Sequence, residues 1–115
     1  IMAREAEIKF LVKLDSENVP EQIYWDASES ESEGFKECDS LMVSMWDREE
    51  KNTMSIDLWT KAMQVGEINS HYYFILMKMA DTYERATNNK DLSHMIREFA
   101  AEFASKVDDL AKKEG

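Results

Sequence analysis

The sequence predicts an α+β domain in which a four-stranded antiparallel meander sheet is followed by an antiparallel two-helix hairpin packed on one face of the sheet, in the order ββββαα. Three observations predict it. Apolar and polar side chains alternate up to about residue 60, the apolar period lengthens to that of a helix from about Gly66, and a polar break at Thr87-Asn88-Asn89 divides the helical part in two.

The first strand lies in Glu7 to Leu14, where Ile8, Phe10, Val12 and Leu14 alternate with Glu7, Lys9 and Lys13, and Leu11 alone interrupts the polar side. Asp15-Ser16-Glu17-Asn18 is turn chemistry, and Pro20 permits an extended entry into a second strand around Gln22–Ala27. The tract Ser28-Glu29-Ser30-Glu31-Ser32-Glu33-Gly34 reads as an exposed connection. A third strand follows from Leu41, Val43 and Met45 alternating with Met42, Ser44 and Trp46. After the polar turn Asp47 to Asn52, a fourth follows from Met54, Ile56 and Leu58 alternating with Ser55, Asp57 and Trp59.

Ile68, Tyr72, Ile75, Leu76, Met79, Tyr83 and Ala86 then recur at three and four, with Tyr73, Phe74 and Met77 widening the apolar arc. Asn88 or Asn89 is placed to cap a second helix with Asp91 in its first turn, and Leu92, Met95, Ile96, Phe99, Ala100, Phe103, Val107 and Leu110 form its stripe. Apolar residues make up 43% of the 115 and aromatics 10%, enough for a core. One domain over residues 2–115 is expected, with strands within about 7–60 and the hairpin over about 66–112. Ile1 ahead of Met2 reads as a leftover residue outside it.

Charge limits the partners. The net charge is −10, and it is uneven: residues 1–50 hold five bases against fourteen acids, residues 51–115 nine against ten. Such a surface repels phosphate backbones and anionic headgroups, so no nucleic acid and no membrane insertion are expected, and a protein partner reading charge would meet the N-terminal half. No apolar stretch approaches a membrane span, and the single Cys38 has no second cysteine for a disulfide or a metal pair, which fits a cytoplasmic protein.

No chemistry-bearing motif appears. A Gly-rich phosphate loop, a G-x-S-x-G elbow, H-E-x-x-H and paired cysteines are all missing, so no catalytic residue, no cofactor-binding residue, no cofactor and no metal ligand are assigned, and the chain is expected not to be an enzyme. His71 and His94 stand one per helix. A fold at Asn88 would bring Asp91 and His94 towards Glu84, yet a lone helical histidine is more often a surface or cap residue, and Glu98 four residues after His94 suggests a simple ion pair. The Ser/Glu tract lacks the spaced oxygens and central glycine of a calcium loop, and Cys38 between Glu37 and Asp39 should be a poor thiolate.

The informative constellation is aromatic. If the alternating apolar sets face the helices, the opposite sheet face carries Leu11, Tyr24, Met42, Trp46, Asp57 and Trp59, more aromatic surface than solvation requires. These six residues are the candidate interaction face for a protein partner, a homodimer being one arrangement it allows. The alternative reading is a small-ligand or metal-binding module seated between hairpin and sheet.

Several segments, in order along the chain, carry a family resemblance: Trp25-Asp26-Ala27, Trp46-Asp47, Glu50-Lys51-Asn52-Thr53, Ile56-Asp57-Leu58-Trp59-Thr60-Lys61, and Met79-Ala80-Asp81-Thr82-Tyr83-Glu84-Arg85-Ala86-Thr87. Together they resemble the GldC family of gliding-motility accessory proteins from Bacteroidetes-type gliding bacteria. The resemblance implies a soluble cytoplasmic protein that assists gliding without being a motor, and it brings no catalytic residues. The chain departs from the family pattern at Gln64-Val65-Gly66, where a proline and an acid would start the helix more firmly, and in its Ser/Glu tract.

Overall fold

A computed structural model describes residues 4–28 and 34–114. It contains β1 (Ile8–Leu14), β2 (Pro20–Ala27), β3 (Lys36–Cys38), β4 (Ser40–Asp47), β5 (Asn52–Trp59), α1 (Val65–Thr87) and α2 (Lys90–Glu114). The chain divides into two compact units, strands up to Met63 and helices from Gln64. The Ser/Glu tract expected as a loop lies outside the described residues except for Ser28, which closes the β1–β2 ladder by donating its N–H to the Glu7 carbonyl at 2.9 Å.

The α+β class and the four expected strands are present, but the single four-stranded meander is not. The strands form two sheets, one ordered β1-β2-β3 and one of β4 and β5, all pairs antiparallel. The reason is a break at Asp39. Lys36–Cys38 pairs with Trp25–Ile23 of β2, whereas Ser40–Asp47 pairs with Trp59–Asn52 of β5. Asp39, bent between them, is held by Thr60, which donates its N–H to the Asp39 carbonyl at 2.9 Å and its hydroxyl to Asp39 Oδ1 at 3.1 Å. One strand therefore serves two partners in succession, a device by which sheets turn corners. Thr60 itself is buried, its polar groups satisfied by these bonds.

Local chemistry fixes both turns. Asp15 Oδ1 accepts the N–H groups of Glu17 and Val19 at 2.8 and 3.0 Å, and Asn18 takes a left-handed conformation (φ 64°), which asparagine tolerates. Asp47 Oδ1 likewise accepts from Glu49 and Glu50 at 2.9 and 2.8 Å, while Lys51 takes φ 54° ahead of β5. Ile23 is fully buried and Leu41 nearly so; they are the buried large apolar side chains among the described residues of the strand unit.

In the helical unit, α1 starts at Val65 despite the weak residues there. The Glu67 carboxylate accepts the Gln64 N–H at 3.0 Å, as the returning half of a capping box does. Asn88 ends α1 in the left-handed conformation, donating its N–H to the Glu84 carbonyl at 2.7 Å. Asn89 then caps α2, its Oδ1 accepting the Leu92 N–H at 3.0 Å, with Asp91 in the first turn, both as the sequence predicts. Ala80, Ala100 and Ser93 are buried along the hairpin, so its two helices meet on small side chains.

Candidate functional site

The registers place each residue of the candidate face. On the first sheet Leu11 and Tyr24 are direct cross-strand partners, and the Lys13 ammonium stands over the Tyr24 ring at 5.5 Å. On the second sheet Met42 faces Asp57, Trp59 faces Ser40, and Trp46 faces Thr53. Because side chains repeat every second residue, Met42, Trp46, Asp57 and Trp59 share one face of the β4–β5 ribbon. The break at Asp39 thus distributes the six predicted residues over two sheets, two on one and four on the other.

On the ribbon, Trp46 lies near the hairpin turn and Trp59 at the opposite end, six residue steps or roughly 20 Å apart by strand rise. Between them lie Ser44 and Ser55, paired with each other, and the Met42–Asp57 pair. Two large rings therefore bracket a lower polar floor. Both rings are open to solvent, Trp46 at 67% and Trp59 at 61% exposure, and Met42 is exposed as well. The reverse face of the ribbon carries Met54 and Ile56, also exposed, and Leu41, buried.

The helical unit carries a polar cluster that sequence reasoning did not find. Arg97 donates from Nη1 to Glu84 Oε1 at 3.0 Å and from Nη2 to Asp81 Oδ1 at 2.9 Å, and the buried Ser93 hydroxyl lies 2.8 Å from the same Glu84 oxygen. The Ser93 hydrogen bond, then the Arg97 guanidinium, hold the Glu84 carboxyl below its ordinary range, and Arg97 is raised in return. Glu84 thus turns to Ser93 and Arg97 rather than to His94 and Asp91. The fold at Asn88 does bring α2 against Glu84, but spacing within one helix cannot show that Ser93 and Arg97 are the residues that meet it.

His94 Nε2 meets Glu98 at 2.6 Å on an exposed turn of α2, the simple pair that its spacing suggested. The Nε2 of His71 is buried without a hydrogen-bond partner. Among the described residues no three of His, Cys, Asp and Glu gather in a metal-binding group. Cys38 is half-buried. Burial pushes its thiol above the ordinary value, and the charges of Asp39 and Glu37, the cause visible in the sequence, add to that.

Comparison with known proteins bears on this arrangement through the family alone. No curated protein and no solved structure matches the chain. The family described as gliding motility-associated protein GldC-like matches residues 20–109, from the first residue of β2 to near the end of α2, and so includes both ribbon tryptophans and the Glu84–Arg97 cluster. The match spans well over half of the sequence, and the chain belongs to the GldC-like family of gliding motility-associated proteins.

Proposed function

We propose that this chain is a non-enzymatic cytoplasmic accessory protein that supports gliding motility through contact with a protein partner, and that the Trp46–Trp59 face of the β4–β5 ribbon makes the contact. One observation carries the reading: two tryptophans, each more than three-fifths exposed, stand on the same face of one two-stranded ribbon. Tryptophan is the residue type most enriched where binding energy concentrates, and leaving two in water has no benefit for the strand itself. The ring-bracketed floor of Ser44 and Ser55 suits an extended or helical segment laid across the strands.

Charge supports a protein partner over the other classes. Residues 1–50, which include β4, hold fourteen acids against five bases, a balance that attracts a basic surface and repels phosphate. Among the described residues no helix is long and apolar enough to cross a membrane.

The test replaces Trp46 and Trp59 with Ser in tagged protein expressed in a gliding bacterium that lacks its own copy. A folded double variant that loses both a co-purifying partner and the capacity to restore gliding supports the proposal. A variant that restores gliding and retains the same partners refutes it. If the variant unfolds, the two rings belong to a core, and the reading of this face is equally overturned.

A further inference from the structure

The sheet aromatics differ in what stands over them. The Lys13 ammonium lies 5.5 Å from the centre of the Tyr24 ring and the Lys36 ammonium 5.6 Å from that of Trp25, so the first sheet supplies both rings with a cation of its own. Among the described residues no cation stands over Trp46 or Trp59. The two ribbon tryptophans also differ from each other. On the shared face Trp46 has Ser44 and Thr53 beside it, whereas Trp59 has the Asp57 carboxylate two residues away, roughly 7 Å along the strand.

Trp59 borders a cleft of about 310 Å³ in the strand unit, lined also by Val19, Pro20, Asp57, Leu58 and Lys61. Val19, Pro20 and Leu58 give it apolar walls, and two charged groups reach it. Lys61 is bonded to Asp15, which raises it above its ordinary value, with the charge of Glu21 adding to the effect. Asp57 is exposed, and its carboxylate has no hydrogen bond or ion pair with a described residue. Around the cleft, Asp15, Glu21 and Asp57 thus stand against Lys61 alone. Among the described residues these acids form no metal-binding group. The complement of such a cleft is an organic cation with an apolar stem for the Val19–Pro20 wall and a flat charged end for the ring and the carboxylate. Arginine has both: its guanidinium is weakly hydrated, stacks on aromatic faces and can offer a carboxylate two N–H groups, whereas the lysine ammonium is compact and strongly hydrated.

We infer that the cleft beside Trp59 receives an arginine side chain of the protein partner, its guanidinium lying on the indole ring and bonding the Asp57 carboxylate. The inference deepens the proposal that this ribbon face makes the partner contact, and rests on it for the source of the arginine.

The test uses the full chain, isotope-labelled for magnetic resonance, with N-acetyl-arginine amide as the probe. Titration should move the Trp59 indole N–H resonance saturably, with a Kd on the order of millimolar. The citrulline analogue, which keeps the shape and loses the charge, and the lysine analogue, which keeps the charge and loses the plane, should each bind at least about threefold more weakly. Asp57→Asn should weaken the arginine probe about threefold while leaving the circular dichroism unchanged. Trp59→Leu, read at the Lys61 backbone N–H, should weaken it by a similar factor, about threefold. The inference is overturned by a probe that does not shift Trp59, by either analogue binding as tightly as arginine, or by a folded Asp57→Asn with unaltered affinity. Should Asp57→Asn unfold, the three probes on the wild-type chain decide alone. The probe needs no partner, so a negative titration removes the arginine cleft and leaves the partner proposal standing. A Trp46/Trp59 double variant that keeps its partners and restores gliding refutes that proposal instead, and removes the arginine's source with it.

Discussion

Ile23 should be the side chain on which the strand unit depends most. It is fully buried in the middle of β2, opposite Val12 on one side and Cys38 on the other. Ile23→Ala removes three carbons at about 0.8 kcal/mol each, about 2.4 kcal/mol of transfer free energy, and incomplete collapse of the space left behind raises this to about 3 kcal/mol. With an unfolding entropy of about 2.1 cal/mol/K per residue over the chain, that is a fall of about 12 °C in Tm, and roughly twice as much if the strand unit melts by itself. The assay separates these cases, because all three tryptophans, Trp25, Trp46 and Trp59, lie in strands, while the far-ultraviolet dichroism is dominated by α1 and α2. Fluorescence should report the shift, and dichroism should follow only if the units melt together. The same truncation at Ile8, which is 70% exposed, should cost less than about 1 kcal/mol. Equal losses at Ile8 and Ile23 would refute the reasoning, since they would mean that the face of β1 is covered and that exposure does not rank these positions.

Two further predictions follow from the turns. Asn89→Ala removes the acceptor for the Leu92 N–H and should destabilise the helical unit by about 1 kcal/mol, read from thermal dichroism, whereas Asn89→Asp should retain most of it. The Asp15 carboxyl, paired with Lys61 and accepting two backbone N–H groups, is lowered from 3.8 to about 2. A group depressed in the folded state contributes stability that is complete above its unfolded value and disappears as pH falls through the folded one, so this contribution should fade between about pH 4 and pH 2. Asp15→Asn keeps an oxygen for the turn but no charge. It should flatten the acid limb of a Tm-against-pH curve in that window, and an unchanged limb would remove Asp15 as its cause.

Much of this architecture is legible in the residues because it depends on neighbours in sequence. Alternation in Ile8–Leu14, Ser40–Asp47 and Asn52–Trp59 and the asparagine pair at 88–89 each carry their own local signal, and the facing of Met42 with Asp57 and of Leu11 with Tyr24 follows from alternation once the turns are set. The break at Asp39 carries no such signal. Lys36-Glu37-Cys38 shows no apolar alternation, and the bend depends on two bonds from Thr60, twenty-one residues away. For the same reason the candidate face is legible as a set of outward positions but not as two separate groups. The Glu84–Ser93–Arg97 cluster escapes sequence reading because it forms across a helix turn, where spacing along one helix says nothing.

The guarded edge of β1 limits how far assembly through its own sheet can go. A sheet open on both sides can add copies without end, each newcomer presenting the same invitation that it accepted. Here the lysines and slipped register of β1 decline a further strand. Among the described residues that leaves the three-stranded sheet only the outer edge of β3, and association through a single edge per copy ends at two.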